Sequence, residues 1–216
     1  MTFQELYQEI RERICLLRYP PGTVLREEAL ASEFGVSRTP IRRVLHRLEY
    51  DGLVDINQRA GAIVTTVDIK SLKEVYALRL KLIELMGDLS AARVPQKTIA
   101  TLEALLEACR KMRDQYEPEG LARLYEAFHV EMLNVIGNQS LRQISDQLFH
   151  QTARVWLQLL PDLNWTEEVD LMCDEIGRVI EGLRAADMQA VAQVRREHMA
   201  MLLRRINNYL GSADVG

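Results

Sequence analysis

The chain has 216 residues, 48% of them hydrophobic and 27% charged, which is the composition of a folded globular protein and excludes disordered, fibrous and membrane classes. No stretch approaches the roughly 18 uncharged apolar residues of a membrane span, and Met1 to Ile10, with Glu5 and Glu9, lacks the basic-then-apolar pattern of a signal peptide, so a cytoplasmic protein is expected. The formal net charge of -4 allows nucleic-acid binding only if positive charge is concentrated locally, because such affinity comes from Lys and Arg neutralising phosphates.

The length suits one large domain or two modest ones. Leu6, Ile10, Ile14 and Leu17 recur at helical spacing and predict a first helix, broken by Pro20-Pro21-Gly22. Glu27 to Phe34 forms a short second helix ended by Gly35. Ser37 is suited to an N-cap and Pro40 to a first turn, so Thr39 to Asp51 is a third helix with Ile41, Val44, Leu45 and Leu48 inward. After Gly52, the β-branched runs Leu53 to Ile56 and Ala62 to Val67, joined by Gln58 to Gly61, read as a hairpin wing. From Ile69 the pattern is helical almost throughout. Breaks at Pro95, Glu117-Pro118-Glu119-Gly120, Gly137-Asn138, Pro161 to Asn164 and Ala186-Asp187 divide it into six helices, about 70–93, 96–115, 119–136, 138–160, 165–185 and 187–209. The expected fold class is mainly α. A winged helix-turn-helix domain over 1–68, with its helix-turn-helix at about 27–46 and wing at about 53–67, precedes an all-helical bundle over 69–210 and a short tail, 211–216.

Residues 1–68 contain nine arginines, ten acidic residues and no lysine, yet Ser37 to Leu48 holds Arg38, Arg42, Arg43 and Arg47 with no acid. Arg38 and Arg42 share a helical face with Arg43 beside them, the apolar residues pointing the other way. Arginines and short donors at the start of such a helix are what contact with base edges and phosphates in a major groove requires. A lone basic run is more often a solvated face, but the preceding helix with its glycine turn and the following hairpin complete a DNA-binding unit. The candidate contacts are Arg26, Ser37, Arg38, Thr39, Arg42, Arg43, Arg59 and Gly61.

The stretch YPPGTVLREEALASEFGVSRTPIRRVLHRLEYDGLV followed by RAGAIV resembles the GntR family of bacterial regulators over residues 6 to 67. The resemblance implies that Ser37, Arg38, Thr39 and Arg42 contact phosphates and bases while the wing around Gly61 enters the minor groove. The chain departs from the family pattern at Arg43, usually an acid, and at Ala60, usually basic, with Arg59 one position earlier as its substitute.

The six later helices, with EVYALRLKLIEL and AFHVEMLNVIGNQSL, resemble the FCD (FadR) ligand-binding subgroup over about 70–209. That resemblance implies a homodimer, a small organic acid or acyl effector in the bundle, and in many members a divalent metal such as zinc on one aspartate and three histidines. Those positions fall on Tyr125, His129, Ile176 and His198, so two of four ligands are lost and neither Tyr125 nor Ile176 replaces them. No cofactor is expected, and His129 and His198 are the metal candidates if one binds. Otherwise they are hydrogen-bonded core histidines or, with Tyr125, line a metal-free effector pocket. Arg79, inward on the first of these helices, either pairs with an effector carboxylate or forms an internal salt bridge, for example to Glu84. Arg154 and Trp156 are weaker pocket candidates, and His46 and His150 read as surface residues.

Cys15, Cys109 and Cys173 are far apart without CxxC spacing and read as buried thiols. The leading function is a ligand-responsive DNA-binding regulator, a repressor of a metabolic operon, with no catalysis of its own. The alternatives are a helical-bundle enzyme using His129 and His198, for which no adjacent carboxylate, activated nucleophile or phosphate loop is visible, and a bundle that only dimerises.

Overall fold

The computed structural model describes residues 1–57, 61–66, 69–91 and 94–213. They fall into two compact units, one of residues 1–68 with 150–158 and the other of 69–149 with 159–216.

In the first unit, α1 (Phe3–Cys15) begins with a capping box in which the Thr2 side chain accepts from the Glu5 backbone and the Glu5 carboxylate accepts from that of Thr2. Its stripe of Leu6, Ile10 and Ile14 is wholly buried. α2 (Glu27–Phe34) ends on Gly35 at φ 64, a left-handed backbone that glycine adopts without a Cβ penalty. That turn feeds α3 (Arg38–Tyr50), which buries Ile41, Val44, Leu45 and Leu48 and leaves its arginine face outward.

The wing strands are β2 (Val54–Asn57) and β3 (Gly61–Val64), paired antiparallel with Val54 opposite Val64. A two-residue strand, β1 (Val24–Leu25), lies on the other edge of β3, so the sheet order is β1-β3-β2. Two residues cannot display a period of two, which is why β1 was invisible in the sequence. At Gly61, φ is 95 and a Cβ would stand 3.2 Å from the Leu25 carbonyl oxygen, so β1 reaches β3 only past a glycine. Arg59, Ala60 and Val67 lie outside the described residues.

The second unit is built from α4 (Ile69–Asp88), α5 (Gln96–Lys111), α6 (Pro118–Val135), α7 (Gln139–Leu159, up to residue 149), α8 (Trp165–Arg184) and α9 (Met188–Ala213), with a short 3-10 turn at Leu160–Asp162. α4 packs chiefly on α9, and α5 and α9 both pack on α8. Leu102, Phe128, Val169, Ile176, Val179 and Val191 are completely enclosed. All six expected helices are present, but two end early. α4 stops at Asp88 because Ser90 makes a β-bridge to Ile136, with Ala91 N donating to Val135 O at 2.8 Å and Gly137 N to Leu89 O at 2.7 Å. α5 stops at Lys111, and the Met112 carbonyl accepts from Gln115 N at 3.0 Å and from Trp165 Nε1 at 2.8 Å. These are tertiary contacts, and nothing local in the sequence announces them.

His150 is a correction: it is 3% exposed, not a surface residue, and its carbonyl oxygen lies 3.8 Å from Cys15 Sγ within the first unit. Cys15 and Cys109 are buried and Cys173 is half-buried.

Asp51, at the end of α3, is buried and accepts from Tyr7 Oη at 2.8 Å and Arg47 Nε at 2.9 Å. It therefore fastens α1 to α3. Burial, then the bond to Asp51, pushes the Tyr7 phenol upward, so it remains a donor. Asp51→Ala should destabilise the first unit by about 1–3 kcal/mol through the unsatisfied phenol, read as a lower urea midpoint, while Tyr7→Phe with Asp51→Ala should recover part of the loss.

Candidate functional site

Accessible space and charge coincide at several places among the described residues, and two of these hold most of the candidate site residues. The first is the outer face of α3. Ser37 stands at the N-cap, but its side chain makes no capping hydrogen bond, so the first turn of α3 keeps unsatisfied N–H groups beside three exposed arginines. Unpaired N–H groups and the positive end of the helix dipole suit a phosphate. Ser37, Arg38, Thr39, Arg42 and Arg43 are all exposed, and Arg26 is exposed at the N-cap of α2.

The arginines are held rather than loose. Arg42 forms a two-point bond to Glu27, Nε to Oε1 at 2.8 Å and Nη2 to Oε2 at 2.9 Å. Arg38 reaches Glu28 at 2.9 Å and Glu27 at 3.3 Å. The bond from Arg42 is the main cause holding the Glu27 carboxyl below its ordinary range, and the same bond raises Arg42. Both pairs are largely in water, so they orient side chains more than they stabilise the fold. Arg43 lies over the Phe3 ring at 5.4 Å, and Arg47 turns away to Asp51 and the Tyr7 and Tyr50 rings. Arg26, Arg38, Arg42, Asn57 and Gly61 line one open cleft between α3 and the wing. Nothing local in the sequence marks Glu27 and Glu28 as part of this face, since their pairing depends on how α2 and α3 cross.

The second place is a small cavity of about 40 Å³ within the helical unit, lined by Arg79, His129, Ser145 and Arg195 with an apolar wall that includes Met86, Met132 and Ile136. Phe149 organises it. The His129 ring stacks on Phe149 with centroids 3.8 Å apart, Tyr125 tilts against it at 5.3 Å, and the Arg79 guanidinium lies 5.6 Å from the same ring. Arg79 and His129 are thus brought together as their inward positions suggested. Glu84 is engaged elsewhere, with Lys81 at 2.9 Å and Arg196 at 2.8 Å.

His198 lines a separate cleft between α8 and α9, its Nε2 3.3 Å from Glu175 Oε2. Glu175 also takes an ion pair from Arg195, whose guanidinium sits 4.6 Å over Phe128, and both charged groups are fully buried. Arg195 and Phe149 were missed from the sequence. Arg195 lies in a helical run with many arginines and has no local mark, although its spacing from His198 is one turn. Arg154 and Trp156 fall in the first unit, where Arg154 donates to Thr65 Oγ1.

The donors do not fit the metal that the FCD resemblance implies. His129 faces Asp146 at 3.3 Å, His198 faces Glu175, Tyr125 lies against an aromatic ring, and Ile176 is a closed apolar side chain. Among the described residues no three His, Cys, Asp or Glu side chains converge as a ligand set.

A winged helix-turn-helix with an outward arginine face, followed by a helical unit enclosing a cavity, defines a DNA-binding transcriptional regulator with a separate helical domain. Residues 2–64 match the family described as "Bacterial regulatory proteins, gntR family", and residues 74–201 match the FCD domain. The chain belongs to the GntR family, in its FCD-containing class. It is 26% identical over 192 residues to the HTH-type transcriptional regulator YdhC of Bacillus subtilis (strain 168), covering 88% of this chain and 84% of that one. It is 24% identical over 213 residues to the HTH-type transcriptional repressor GlaR of Escherichia coli (strain K12), covering 92% and 94%. The solved structure of E. coli McbR/YncC has the same fold, with a TM-score of 0.85 at 18% identity over 97% of this chain and all of that one. The family and these relatives are transcriptional regulators, and this chain is a regulator rather than an enzyme.

Removing one member of a buried ion pair leaves a charge without compensation, typically costing about 3–5 kcal/mol. Glu175→Gln should therefore lower the urea midpoint of the helical unit, followed by far-UV circular dichroism, more than the surface change Glu84→Gln does.

Proposed function

We propose that the chain is a homodimeric, effector-responsive repressor of a metabolic operon, acting in the cytoplasm. Arg26, Ser37, Arg38, Thr39, Arg42, Arg43 and the wing at Arg59 and Gly61 contact operator DNA. The observation that carries this reading is the outward face of α3, where Arg38 and Arg42 are pre-aligned by Glu27 beside an uncapped helix start. Pre-alignment lowers the ordering cost of a two-point contact with guanine or phosphate.

The effector is a small organic acid. Arg79 and Arg195 supply positive charge to the cavity, His129 and Ser145 supply polar atoms, and the apolar wall accepts the rest of the molecule. Tyr125 supports His129 through Phe149, and His198 acts indirectly, through Glu175 and Arg195. Carboxylate recognition of this kind rests on the Arg79 guanidinium, with Arg195 held to Glu175 beside it. Support for the homodimer comes from α4, where Leu78 and Leu85 are exposed seven residues apart on one helical face, with exposed Leu89 just past its end. Support for the cytoplasm is that no helix among the described residues is long and apolar enough to cross a membrane. Effector binding favours one arrangement of the two DNA-binding heads over another, and operator affinity follows that population.

Arg38→Ala with Arg42→Ala should abolish tight binding to fragments of the chain's own promoter region, measured by fluorescence anisotropy. It should also reduce the slope of log affinity against log salt by about 2. An unchanged affinity and slope would overturn the DNA-contact assignment. In a thermal-shift screen of small carboxylic acids, at least one should raise the melting temperature of the native chain and fail to do so with Arg79→Met; zinc should raise neither. Absence of any acid response would leave a helical unit that serves dimerisation alone.

A further inference from the structure

α5 and α8 run antiparallel, and their contacts fix the register. At one end Arg113 makes a two-point bond to Asp170, at 2.9 and 3.2 Å, and Trp165 Nε1 donates to the Met112 carbonyl. At the other end Arg184 bonds to Glu103. Between these ties, the Cys109 thiol of α5 is directed at α8, its Sγ 3.8 Å from the carbonyl oxygen of Val169, the residue one helical turn before Cys173. Cys109 is enclosed, whereas Cys173 is half-buried and so open to a small reagent. Two thiols brought within about one turn of each other across a helix pair, 64 positions apart in the chain, are not required by packing, since any small apolar side chain fills such a place.

We propose that Cys109 and Cys173 form an oxidisable dithiol, a modification site at which a hydroperoxide converts the pair to a disulfide that ties α5 to α8. Cys173 is the attacking group. Its thiol is held below its ordinary range first by the hydrogen bond from Cys109, against the effect of burial, with Arg110 adding positive charge nearby. Cys109 is pushed upward by the same bond and by burial, so it stays protonated. In the first step the Cys173 thiolate attacks the O–O bond. A sulfur–oxygen bond forms, the O–O bond breaks, Cys173 becomes a sulfenic acid, and the departing alkoxide or hydroxide takes a proton from water. In the second step Cys109 sulfur attacks that sulfenic sulfur. The S–S bond forms, and the hydroxyl leaves with the Cys109 proton as water. Two thiols are oxidised by two electrons and one peroxide bond is reduced. Cys15, the third cysteine, is in the other unit and takes no part.

The test uses the full chain, reduced and then exposed to hydrogen peroxide at slight excess. Thiols counted in denaturant should fall from three to one and return to three with dithiothreitol. Peptide mapping should find the segments bearing Cys109 and Cys173 joined within one chain. Cys15→Ser should lose both of its remaining thiols. Cys173→Ser should keep both, and Cys109→Ser should stop at a sulfenic acid on Cys173 that dimedone traps. Three persistent thiols in the native chain, a disulfide between chains, or equal thiol loss in Cys173→Ser would each overturn the proposal. The mapping on the native chain decides the matter even if a Cys109 variant does not fold.

Discussion

A guanidinium taken out of water must be given opposite charge, hydrogen bonds or an aromatic face, because the solvation it loses is worth several kcal/mol. That constraint organises this chain at every point of interest. Arg195 is buried and is held by Glu175 below a phenyl face. Arg79 is buried between the Tyr76 and Phe149 rings. Arg154, enclosed in the first unit, has its charge disfavoured by burial, which lowers its affinity for the proton. Each of these arginines restricts what its neighbours can be, and Arg79 and Arg195 place two guanidinium groups at the cavity of the helical unit.

The same requirement bears on the histidines that resemble a metal site. His129 and His198 are each drawn to a different carboxylate, Asp146 and Glu175, on different sides of α9's contacts. Ile176, a buried apolar side chain, stands at the position of a third ligand, and Arg79 and Arg195 lie beside His129. The Glu175 carboxylate is the member on which both the Arg195 and His198 contacts depend.

Much of this was legible before any coordinates. Glycines at 35, 52 and 61 mark turns, and the apolar periodicity places Leu6, Ile10 and Ile14 of α1 and Ile41, Val44, Leu45 and Leu48 of α3 inward because these signals are local, although Leu17, expected in the first helix, falls past its end at φ 59. Arg38, Arg42 and Arg43 stand out for the same reason: charge confined to one side of a short helix is visible in the spacing. What escaped is what depends on distant segments meeting. The strand β1 is too short to carry a pattern, α4 ends where Ser90 meets Ile136, and His150 is covered by tertiary packing despite its polar neighbours. Glu27 became part of the arginine face only through the crossing of α2 and α3. Phe149 and Arg195, 46 positions apart in the chain, acquired their places through the packing of separate helices.

The Glu27 clamp changes the terms on which a nucleic acid meets the arginine face. A partner does not encounter bare cations but must outcompete a resident carboxylate for each guanidinium, so a weak generic anion gains little by approaching. A surface offering two well-placed acceptors at once can complete the exchange. On the proposed reading, the internal counterion acts as a threshold: it discounts every sequence alike and leaves a net gain only where the geometry is right.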